Sequence, residues 1–91
     1  MNPQNLLFRQ KNKHVFIRIT AYPGNRTAVH YVANGLGIVD QFKTDDLKVV
    51  INKTIDDIKD LKKLNQSEPE KLKALDWIEK QLYDSLQPKL F

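Results

Sequence analysis

The sequence predicts an α+β fold, a three-stranded antiparallel meander over residues 13–43 followed by an antiparallel two-helix hairpin over residues 44–87. The hairpin is expected to pack on one sheet face (β-β-β-α-α). Three observations carry this. Apolar residues alternate in steps of two up to Phe42 and recur at three- and four-residue spacing after Thr44. Two turn signals, Pro23-Gly24-Asn25 and Asn34-Gly35, cut the first part into runs of strand length. The 91 residues suffice for one modest core, so residues 1–91 are expected to form a single domain.

Residues 1–12 show no clean period and are read as an N-terminal arm. Its Leu6, Leu7 and Phe8 are available to fold across the sheet. From Lys13 to Tyr22, Val15, Ile17 and Ile19 fall on one parity, with His14, Phe16, Arg18, Thr20 and Tyr22 on the other. Such alternation, rich in β-branched and aromatic residues, is a half-buried strand. Pro23-Gly24-Asn25 ends it with a fixed φ and residues tolerant of positive φ. The second run, Thr27 to Ala33, places Val29 and Tyr31 on one parity. Asn34-Gly35 is a strong hairpin signal, because a type I′ turn needs φ > 0 at both centres. Leu36 to Phe42 is the third run.

Turn lengths set the register. A three-residue loop pairs Tyr22 with Arg26, Ile19 with Val29 and Ile17 with Tyr31. A two-residue Asn34-Gly35 turn pairs Tyr31 with Ile38 and Ala33 with Leu36. Both turns put Val15, Ile17, Ile19, Val29, Tyr31, Leu36, Ile38 and Phe42 on one face. Tyr31 and Trp77 are expected at the core or its edge, with the polar tip of each reaching solvent or a backbone acceptor.

The period changes at Thr44, which is read as an N-cap ahead of Asp45 and Asp46. Leu47, Val50, Ile51, Ile55, Ile58 and Leu61 form the stripe of the first helix. Ser67 to Glu70 matches a capping box with Pro69 in the first turn. Leu72, Leu75, Ile78, Leu82 and Leu86 form the second stripe, and Pro88 is expected to stop the helix. Helix lysines are balanced by acids, as Asp76 is by Lys80 four residues on.

Charge divides the chain unevenly. Residues 1–43 hold Arg9, Lys11, Lys13, Arg18, Arg26 and Lys43 against one acid, Asp40, whereas residues 44–91 hold nine lysines against ten acids. Such asymmetry points to an anionic partner, a nucleic acid or an acidic protein. On the expected register the uncovered face interleaves Phe16 and Tyr22 with Arg18, Arg26, His14, His30 and Lys43, while Arg9, Lys11 and Lys13 extend it. Rings that stack on bases among cations that neutralise phosphates suit a nucleic-acid platform.

Two other function classes use the same residues. Phe16, Val32 and Val39 would serve a protein–protein module, an inhibitor or accessory protein of a phage or mobile element, or a homodimer through the open sheet face. Arg18, His30, His14 and Tyr22 would supply the clamp and acid–base groups of a small metal-independent ribonuclease. The sequence holds no Walker loop, dinucleotide fingerprint, zinc-protease motif or nucleophile elbow, so a cofactor is not expected and a binding role is favoured over catalysis. Without cysteine there is no disulfide framework or thiolate metal site. With no apolar run near the ~18 residues of a membrane span, the expectation is a cytoplasmic protein without membrane contact.

Overall fold

A computed structural model describes residues 2–87. Four strands precede two helices: β1 (Gln4–Asn12), β2 (Val15–Tyr22), β3 (Arg26–Ala33), β4 (Leu36–Phe42), α1 (Leu47–Leu64) and α2 (Pro69–Leu86). The strands pair antiparallel in chain order, β1-β2-β3-β4. The α+β class holds, but the expected three-stranded sheet has a fourth member.

That member is most of the expected N-terminal arm. Residues 4–12 pair along β2 instead of folding across the sheet. The register shifts between Asn5 and Leu7 and again between Gln10 and Asn12. An extra residue in the ladder lets Leu6, Leu7 and Phe8 stand in a row without obeying strict alternation, which hides the strand from a period-two reading. Its asparagines and glutamines further weaken the β signal. Bulges and polar residues also suit an edge strand, where they discourage pairing with another chain.

The inner registers are those the turns imply. Ile17 pairs with Tyr31, Ile19 with Val29, Tyr31 with Ile38 and Ala33 with Leu36. Asn34 and Gly35 both have positive φ, 50° and 96°, as a two-residue hairpin of matching twist requires. At the other turn Gly24 and Asn25 take φ of 86° and 57°.

The helices cover one sheet face. Ile17, Ile19, Val29 and Tyr31 are fully buried against Val50, Ile51 and Ile58 of α1 and Leu75, Ile78 and Leu82 of α2. Each such side chain contributes roughly 1.5–3 kcal/mol on leaving water. Trp77 is half-buried at the margin of this core. The Lys62 ammonium links the two helices, bonding Asp76 and, at 3.2 Å, Glu79. Asp76 therefore pairs across the hairpin instead of with Lys80.

Both helix starts differ from expectation. Asp46, not Thr44, caps α1, its carboxylate accepting from the N–H groups of Lys48 (3.0 Å) and Val49 (3.4 Å). Thr44 is tied to the sheet end: its carbonyl accepts from the Thr27 hydroxyl at 2.6 Å, and its own hydroxyl from the Asp46 N–H. At α2 the cap position falls on Glu68, with no side-chain cap bond, so the Ser67 capping box does not form. Pro69 fixes the boundary, because its ring keeps the preceding residue out of helical geometry. The Pro88 stop lies outside the described residues.

The Tyr31 hydroxyl contradicts the expected polar contact. It is buried with no hydrogen-bond partner, and burial, reinforced by the carboxylates of Asp40 and Asp57, pushes its ionisation far up. Removing an unsatisfied buried hydroxyl relieves a desolvation penalty. Tyr31→Phe is expected to leave stability unchanged or to raise it by up to about 1–3 kcal/mol in urea unfolding. A loss of about 1 kcal/mol or more would mean the hydroxyl has a partner.

Asp57 is raised above the ordinary aspartate value, first by burial and then by the charges of Asp40, Asp60 and Asp56. A carboxyl whose folded value lies above its unfolded one holds its proton longer in the native state. Stability is therefore lost as pH climbs from 3.8 through the raised value. Asp57→Asn should give a small gain in Tm at neutral pH that vanishes below pH 3.8, small because the side chain is exposed. An equal gain at both ends of the titration would exclude this proton linkage.

Candidate functional site

Alternation along β2 and β3 buries one set of side chains and sends the other to the opposite face. Registers across all four strands then arrange the second set in rows. Phe8, Arg18, His30 and Val39 are successive cross-strand partners and form one tall row. Asn5, Thr20, Ala28 and Gln41 form the next, of shorter side chains. Tyr22 and Arg26 begin a third, tall again. On the other side of the first row stand Gln10, Phe16, Val32 and Gly37.

The rings touch. Phe16 lies between Phe8, 6.4 Å away by centroid, and His30, which it meets edge-on at 5.0 Å. The Arg18 guanidinium sits over the Phe8 ring, 5.0 Å from its centroid, so the cation is held by a ring face. Phe8 is 42% exposed, Tyr22 41% and Val39 65%. Both helices lie on the other side of the sheet and cover none of this.

The charge on this surface has one sign. Asp40, the only acid before residue 44, is the cross-strand partner of Val29 and so belongs to the helix side. The described strands thus give the open face Arg18, Arg26 and His30 and no carboxylate. Among the described residues no arginine takes part in a salt bridge. Acids gather on the opposite layer, where Asp40 approaches Asp57 of α1, itself next to Asp56 and Asp60.

The residues anticipated from sequence separate into three places. Phe16, Arg18, Tyr22, Arg26 and His30 share the open face, and Lys43, exposed, follows the end of β4. Lys13 and His14 form the turn between β1 and β2, with Lys11 at the neighbouring register shift. Arg9 does not extend the platform. It pairs with Ile17 on the helix side and lines a 460 Å³ groove with Leu6, Leu47, Ile51 and Asp84. The slip at Leu6 determines this, by setting Leu7 and Arg9 on one parity and Phe8 on the other.

Strand β1 contributes what the sequence reading missed: Phe8, Asn5 and Gln10. Leu7 and Arg9 against Phe8 and Gln10 is a two-parity pattern, visible once a bulge at Leu6 is allowed.

The four groups of a ribonuclease do not converge. His14 and Tyr22 stand at opposite ends of the strand, roughly 26 Å apart at ~3.3 Å per residue. Of the four, Arg18 and His30 are direct cross-strand partners.

Comparison with known protein families, curated proteins and solved structures finds no match for this chain. The site is therefore read from its own chemistry.

Proposed function

We propose that this protein binds single-stranded nucleic acid on its open sheet face. One observation carries the reading: a contiguous cluster of Phe8, Phe16 and His30 rings, with Arg18 among them and free of carboxylates, lies on the side the helices leave uncovered. Unpaired bases stack on such rings whatever their identity, while guanidinium groups neutralise phosphates. A duplex hides its base faces and would meet only the cations. Exposed rings on a four-stranded sheet backed by helices serve two or three bases at a time in other RNA-binding modules.

The surface is also half apolar, and Val39 is its most exposed large hydrophobic residue, which favours a second reading as a protein contact or homodimer face. Salt separates the two. A phosphate-driven complex weakens steeply as salt rises, because binding releases counterions, whereas an apolar contact holds or tightens.

In fluorescence anisotropy, affinity for a single strand should exceed that for a duplex of the same length and should fall linearly in log–log form with salt. Phe8→Ala or Phe16→Ala should each cost about 1–3 kcal/mol of binding. Arg26→Ala should reduce the salt slope by about 0.7. Salt-independent binding, or a dimer in light scattering that the Phe16 substitution dissolves, would replace this reading with the protein-contact one.

A further inference from the structure

Between the two tall rows of the open face lies a trough, and its chemistry is not that of a uniform platform. Thr20 and Ala28, cross-strand partners with short side chains, form its floor. Arg18 and His30 rise on one flank and Tyr22 on the other, enclosing a concavity of 380 Å³. Arg18 and Tyr22 are four residues apart on one strand, roughly 13 Å at ~3.3 Å per residue, which leaves room for one base between the flanks.

Two of the polar groups around this trough, the Arg18 guanidinium and the Asn5 amide nitrogen, are donors only, while the hydroxyls of Thr20 and Tyr22 can donate or accept. The Arg18 guanidinium lies over the ring of Phe8, 5.0 Å from its centroid, and makes no side-chain hydrogen bond or salt bridge among the described residues. Asn5, on the neighbouring strand, has its carbonyl oxygen Oδ1 engaged by the Thr20 hydroxyl at 3.2 Å. That bond orients the amide and leaves the Nδ2 hydrogens to donate. No carboxylate of the described strands faces the trough to accept in return.

Bases differ in what they offer such a lining. The edge of guanine that carries O6 and N7 presents two adjacent acceptors, and a bidentate arginine is its commonest specific partner. Adenine places an N6 donor beside N7, and cytosine presents an N4 donor. On that edge each sets an N–H against the N–H groups of Arg18, where guanine meets them with two acceptors. Thymine offers one acceptor and a methyl group.

We propose that this trough is a base-reading subsite that selects guanine within the bound strand, through Arg18 assisted by Asn5. The inference rests on the single-strand reading above and adds a preference to it. Stacking on Phe8 and Phe16 supplies affinity without sequence, and the trough supplies discrimination at one position.

The test is anisotropy at one fixed salt concentration with oligothymidylates that carry a single internal guanine, adenine or cytosine, and with the all-thymine strand. The guanine strand should bind roughly tenfold more tightly than the other three, the scale of one good bidentate contact. Arg18→Lys keeps the charge and loses the planar fork, so it should level the four affinities near that of the all-thymine strand. Asn5→Ala should narrow the guanine advantage, with thermal unfolding run alongside to show both variants fold. Equal affinity for all four strands overturns the guanine subsite and leaves the stacking platform standing. Measurable binding to none of them overturns both. A guanine preference that survives Arg18→Lys assigns the selectivity to other residues and overturns the proposal.

Discussion

The helical hairpin can cover only one face of the sheet, and the alternation of β2 and β3 decides which one. Ile17, Ile19, Val29 and Tyr31 lie under the helices because their parity is continuous with the stripes of α1 and α2. Their neighbours Phe16, Arg18, Ala28 and His30 are forced outward by the same pleat. A one-residue slip of β2 would bury Arg18 unpaired and expose Ile17 and Ile19, and one of β3 would bury His30 and expose Val29 and Tyr31, at a cost comparable to the marginal stability of a domain this small. The core therefore fixes the open face as firmly as it fixes itself.

Charge follows the same division. Asp40 projects toward the helix layer, near Asp57, and the arginines at positions 18 and 26 project away from it. In the helices lysines and acids are nearly equal in number, and Lys62 is raised above the ordinary lysine value first by its bond to Asp76, then by Glu79. What remains is a molecule with one cationic side. Long-range attraction would bring a polyanion to the face where the rings are, so steering and stacking act at one place.

Much of this was legible in the sequence, for stated reasons. Asn34-Gly35 and Pro23-Gly24-Asn25 fixed loop lengths, and loop lengths fixed registers that agreed with the apolar pattern. The helical stripes of Val50, Ile51, Ile58, Leu75, Ile78 and Leu82 stood out by period alone. Strand β1 did not, because a bulge at Leu6 breaks the period and Lys13-His14 is not a strong turn pair. With β1 went Phe8 and Asn5, whose place beside Arg18 and Thr20 depends on pairing that one dimension does not display. The helix starts were displaced by local competition, with Thr27 engaging Thr44 and Pro69 setting its own boundary. The unpartnered Tyr31 hydroxyl is a consequence of packing that propensity does not encode.

Solvent access to the two faces of the sheet tests the central claim most directly. A soluble paramagnetic agent, titrated into the protein and read by proton relaxation, reports each side chain separately. The account expects strong relaxation at the rings of Phe8, Phe16 and Tyr22 and at the Val39 methyls, with the methyls of Ile17, Ile19 and Val29 protected. Protection of Phe16 and Val39 equal to that of Ile17 would mean that something already covers the face, and would contradict the account.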